Sequence, residues 1–228
     1  MKKKLPVKYP LITSFPAHAN LLSVVLNHEE SLAWFFSHYI QLKQFINHPN
    51  FRVDFFKSSH WNDCPFVYNQ LINKELIAKK WNRFTDFLMD CIDLENYIMF
   101  NLNQYFVSIY DYYQKRHTGH DIFIFGYDKK NQVFDVADFF GNGKYSYSKV
   151  SYSDIEQGYQ KFYLTNQYDY LKGIEIIKYQ SPKNNYKFDI DVPAKLIKDY
   201  IFSDNSYRRY RISSKNCPDQ IFGISIYD

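Results

Sequence analysis

"HDIFIFGYDKKNQVFDVADFF", residues 120–140, holds two apolar runs on either side of a polar centre. Residues 120–128 read as a compact strand buried on both faces, and residues 132–140 as a second strand. Asp128-Lys129-Lys130-Asn131 supplies the turn, so the two runs form a β-hairpin. With the turn near residue 130, position 120 lies opposite about 140, and Asp138 falls close to His120. Asp135 is level with about residue 125, roughly 17 Å along the strand from His120 at about 3.3 Å per residue. Asp135 and Asp138 also point to opposite faces, being an odd number of positions apart. Asp138 is therefore expected to meet His120, and Asp135 is not.

Strand signals continue around the hairpin. Residues 96–110 read as one strand, or two divided near 101–104. Residues 141–153 add a Gly-rich turn and a strand, and 173–180 and 220–228 read as strands. Residues 152–164 read as a helix capped by Ser153 or Asp154, and 192–202 as a helix with Pro193 in its first turn. Before the hairpin, 1–16 look extended, with Pro6, Pro10 and Pro16. Residues 17–47 carry a helical apolar face broken near Asn27-His28, and "HPNFRVDFF" (48–56) turns at Pro49 into a short strand. Residues 65–92 read as one long helix, with Val67, Leu71, Ile77, Trp81, Phe84, Leu88 and Cys91 on its apolar face. Helices followed by a largely antiparallel sheet predict an α+β chain. The expectation is a single domain over 1–228, with a core at about 5–165 and a C-terminal α/β extension, 166–228, packed on it.

The composition narrows the function classes. With 46% apolar residues and 20% aromatics, the chain can build a core rich in Tyr and Phe. A net charge of +4 is no nucleic-acid signature, though it suits an acidic protein partner. Three widely spaced cysteines make no disulfide framework. The basic start MKKKLPVKYP lacks the apolar run of a signal peptide, and no stretch is long enough for a membrane span. The expectation is a soluble cytoplasmic protein that binds neither nucleic acid nor membrane.

Chemistry points to Cys64, in "WNDCP" (61–65). Read as the start of the 65–92 helix, with Asn62 or Asp63 as cap and Pro65 in the first turn, the thiol gains from the helix dipole, which favours thiolate. A nucleophilic Cys needs a base and a group that orients the base. His120 and Asp138 fit those roles. His117 and His60 are alternative bases. Cys217 precedes a strand, and Cys91 sits on an apolar helix face. His60, Cys64, His117 and His120 do not make a compact zinc motif. "GNGK" (141–144) lacks phosphate-loop spacing.

The order Cys, then His on a strand, then Asp on the next strand resembles the papain-like cysteine peptidase fold. "NDCP", "HDIFIFGYD" and "ADFFGNGKYS" are similar to papain-like amide ligases and acyltransferases of thiotemplated biosynthesis. These include the amide-forming enzyme of closthioamide assembly and, more distantly, the butirosin acyltransferase. The likeness spans roughly residues 5–165. It implies that Cys64 takes an acyl group from the phosphopantetheine thioester of an acyl carrier protein, with His120 as base and Asp138 as orienter. An amine then receives the acyl group. No cofactor of the enzyme's own is implied. The family's oxyanion-hole Gln is missing from 57–62; the Cys64 N–H serves as one donor, and Ser58, Asn62 or Gln104 as the other. Lys79, Lys80, Arg83, Lys115 and Arg116 are candidates for a carrier-binding face. A peptidase or thioesterase using the same triad is the alternative, and a non-catalytic papain-like binding protein a third.

Overall fold

The computed structural model describes residues 1–46, 53–55, 64–141, 143–169, 171, 173–182, 186–206 and 220–227. In chain order its elements begin with β1 (Lys2–Lys4), α1 (Pro16–Val25), α2 (Leu32–His38), β2 (Leu42–Phe45) and β3 (Val53–Phe55). Next come β4 (Val67–Ile72), α3 (Lys74–Lys80), α4 (Phe84–Asp93), β5 (Tyr97–Asn103), β6 (Gly119–Asp128) and β7 (Val133–Phe140). The remainder are β8 (Lys144–Ser151), α5 (Tyr152–Gln160), β9 (Ile174–Tyr179), α6 (Asp191–Ile201) and β10 (Gln220–Phe222). This is an α+β chain, and its strand pairings are antiparallel.

The chain divides into two compact units, Met1–Asn27 with Pro65–Ser181, and His28–Cys64 with Pro182–Asp228. The division expected near residue 165 thus falls inside the first unit, and 28–64 joins the C-terminal stretch.

The first unit is built on a seven-stranded sheet in the order β4-β9-β5-β6-β7-β8, with β1 also paired to β6. β6 is buried from Asp121 to Asp128, as the unbroken apolar run requires. Helices cover both its sides. Met99 and Phe100 are adjacent on β5 and so point to opposite faces. Asn20 of α1 reaches Met99 Sδ at 3.4 Å, and Phe84 of α4 packs edge-on against Phe100 at 4.8 Å. The hairpin register carries one irregularity between Ile124 and Gly126. A side chain at Gly126 would lie 2.8 Å from Asp135 Oδ2 and 3.0 Å from the Lys3 carbonyl oxygen, so this crossing of three strands needs glycine.

Residues 65–92 are not one helix. They form the strand β4 and the helices α3 and α4. Val67 and Leu71 share a face at four-residue spacing in a helix and in a strand alike, so the apolar pattern did not separate the two. Partner β9 decides it, pairing with β4 over six residues from Val67↔Tyr179 to Ile72↔Ile174. Asn73 then caps α3 by accepting from Glu75 N at 2.7 Å. α4 has no cap of its own. Its first N–H groups, Phe84 N and Thr85 N, donate to the two carboxylate oxygens of Glu156 on α5 at 3.1 and 2.9 Å. Other boundaries also move. The described part of 17–47 holds α1, α2 and the strand β2; α5 is capped by Ser151, which accepts from Asp154 N at 3.0 Å; and among the described residues 220–227 only β10 is strand. Asn62, Asp63 and Pro49 lie outside the described residues.

The second unit holds a three-stranded sheet, β10-β2-β3, with α2 and α6. Lys43 and Asp54, both buried, sit opposite one another across β2 and β3. Gln41 Nε2 donates to the Asp204 carbonyl oxygen at 2.8 Å. Among the described residues no helix is long and apolar enough to cross a membrane.

Candidate active site

His120 and Asp138 lie on neighbouring strands of the first unit. Pairing of Phe123 with Ala137 puts Asp138 beside Ile122, one turn of the pleat from His120. His120 Nε2 stands 3.3 Å from Asp138 Oδ1. Asp135 is level with Gly126, six positions from His120, so it is not a partner.

Asp138 is 1% exposed, and its carboxylate is engaged at both oxygens. Oδ1 also accepts from Phe139 N at 2.7 Å, and Oδ2 accepts from the Tyr110 hydroxyl. Tyr110 stands in the segment that follows β5. Val107 N donates to the Gln104 carbonyl and Tyr110 N to the Val107 carbonyl, both at 3.1 Å, which winds this segment tightly. Ser108 ties it to α5, its N–H and hydroxyl both donating to Asp154 Oδ2, at 2.8 and 2.6 Å. The second carboxylate is Asp121, 5% exposed, whose Oδ1 lies 3.2 Å from His120 Nδ1. The imidazole is thus held at both nitrogens by carboxylates, with its side chain 31% exposed.

Electrostatics follow from this clamp. Burial pushes the His120 pKa down, but the hydrogen bonds and negative charges of Asp121 and Asp138 outweigh it and raise it to about 10. His120 is an imidazolium at neutral pH, a proton donor first and a base only after it has given up that proton. Neither Asp121 nor Tyr110 was singled out from the sequence. Asp121 was signalled by its place beside His120, whereas nothing local marks Tyr110 as reaching β7.

Cys64 ends the first stretch of the second unit, His28–Cys64, and is 4% exposed and not in a disulfide. It precedes a turn and the strand β4, so the expected helix dipole does not act on it. Two phenols are among its electrostatic neighbours in that unit. Burial first, then charge on Cys64 and on Asp54, holds the Tyr39 pKa far above its ordinary value. Tyr186 is raised by burial, then by Asp189, then by Cys64. Cys91 is core, as expected; its burial and nearby Asp90 push the thiol up to about 12.

The other candidates scatter. Gln104 is buried and begins the short helical turn after β5. His117 Nδ1 meets Asn103 Nδ2 at 3.0 Å, and the ring packs on Tyr105 at 4.3 Å. Lys79, Lys80, Lys115 and Arg116 are exposed, and Arg83 pairs with Asp86 at 2.6 Å. Ser58, His60, Asn62 and Cys217 lie outside the described residues. Among the described residues no group of three or more His, Cys, Asp or Glu is placed to hold a metal ion. Compared with protein-family models, curated proteins and solved structures, the chain matches none.

Proposed function

We propose that the chain is a papain-like cysteine acyltransferase that forms amides from the thioester of an acyl carrier protein. The observation that carries this reading is the carboxylate-clamped imidazole, His120 with Asp138 at 3.3 Å, on the hairpin where the sequence order calls for it. Cys64 is the nucleophile by its place in that order. The proposed reaction needs Cys64 as a thiolate, which exchanges readily with a thioester. In the first step Cys64 sulfur attacks the acyl carbonyl, the carbonyl oxygen becomes an oxyanion, and collapse expels the pantetheine sulfur. His120 gives its proton to that leaving sulfur. The neutral imidazole then takes a proton from the incoming amine as its nitrogen attacks the acyl-enzyme, and Cys64 leaves as thiolate. Asp138 holds the ring by Nε2 through both steps. Nδ1 serves the reaction by exchanging Asp121 for the reacting atoms. A hydrolase differs only in using water as acceptor.

The test is intact-mass spectrometry after incubation with an acyl-pantetheine or acyl-carrier thioester. The expected result is one acyl mass on the wild type, none on Cys64→Ala, and faster loss of that mass with amines than with water. Loss in water alone at the same rate makes the chain a hydrolase. No acyl mass, or acylation that survives Cys64→Ala, refutes the reading.

A further inference from the structure

The chain also carries an apolar helix face that the thiol chemistry does not use. α6 turns Pro193, Leu196 and Asp199 inward. Beside that buried face run Ile190, Ala194, Ile197 and Ile201, and these are exposed: Ile190 by 66%, Ile197 by 48% and Ile201 by 55%. Their spacing of four, three and four residues is the seam of a two-helix coiled coil. Exposed apolar residues aligned on one seam mark an interaction surface, whereas scattered ones need no explanation.

We propose that α6 pairs antiparallel with α6 of a second copy of this chain. The sequence of the seam is complementary to its own reverse. A two-fold axis midway between Ile190 and Ile201 sets Ile190 against Ile201 of the second copy and Ala194 against Ile197, so large meets large at the ends and small meets large at the centre. The charges flanking the seam obey the same symmetry. Asp191 and Lys198 occupy equivalent positions one heptad apart on the same side of the seam, and both are exposed. Antiparallel pairing brings Asp191 of each copy beside Lys198 of the other, twice. Phe202, 71% exposed, follows directly and widens the apolar area. A helix of 11 residues is about 16 Å long, less than a standard interface of about 800 Å² per partner spans, so the pairing is weak and concentration-dependent.

Sedimentation equilibrium of the full chain from about 10 μM to about 1 mM tests it. The expected result is a monomer–dimer equilibrium. Ile197→Glu abolishes the dimer. Asp191→Lys or Lys198→Asp alone weakens it about tenfold, and the two together restore it to near the wild-type value. Circular dichroism of each variant verifies that the helix content is kept. A wild type that stays monomeric overturns the proposal and leaves the seam to a different partner. A dimer indifferent to Ile197→Glu, or one that the double reversal fails to restore, overturns it too.

Discussion

His120 carries the most specific chemistry at the scale of single residues. Its folded pKa, about 10, lies above the ordinary value of 6.5, so between those values the folded chain holds more protons than the unfolded one. Stability from this group is complete below about pH 6.5 and is lost as pH rises through about 10. His120→Gln should therefore destabilise the chain most near pH 6, by about 1.5–3 kcal/mol, and much less near pH 10. Urea melts at the two pH values check this; an equal or larger loss at pH 10 contradicts the clamp. Each carboxylate can be tested alone. Asp138→Asn and Asp121→Asn should each lower the His120 pKa by about 1–3 units, read from the imidazole resonances in an NMR titration. A His120 pKa unmoved by either change would mean that the ring does not sit between them. The His120–Asp138 meeting was legible in the sequence because a hairpin turn counts residues, and Asp135 was excluded by the same count. Asp121 and Tyr110 were not, since side-chain reach around a strand start and a return of the chain onto β7 leave no periodic trace.

Elements show where local pattern stops deciding structure. Residues 65–72 and 84–92 both carry apolar residues four apart, yet one segment is a strand and the other a helix. β4 owes its state to the ladder with β9, more than a hundred residues later in the chain, and no window of local sequence contains that partner. The consequence for chemistry is direct. Cys64 loses the helix dipole that first recommended it, and in the proposed reaction activation of the thiol is left to the imidazolium. Capping is likewise non-local in α4, whose first N–H groups rest on Glu156. Glu156→Ala should cost about 0.5–2 kcal/mol in chemical denaturation, more than an ordinary surface substitution. Gly126→Ala should cost about 1–3 kcal/mol, because the added methyl meets the Asp135 carboxylate and the backbone of β1. A change within about 0.5 kcal/mol in either variant would show that these contacts do not hold the elements in place.

For the molecule as a whole, the α+β class and the antiparallel sheet were readable from strand signals at 120–128, 132–140 and 173–180. The division into units was not. Residues 28–64 join 182–228 through pairings such as β2 with β10, which link the two ends of the chain and carry no local signature. That division sets Cys64 in one unit and His120 with Asp138 in the other, and the proposed reaction requires that the imidazolium activate the thiol. Site-resolved rates of Cys64 alkylation by iodoacetamide against pH, for the wild type and for His120→Gln, test it most directly. The account predicts that wild-type Cys64 stays reactive down to about pH 6, while in His120→Gln reactivity appears only near the ordinary thiol pKa of about 8.5. Two superimposable pH profiles would contradict it.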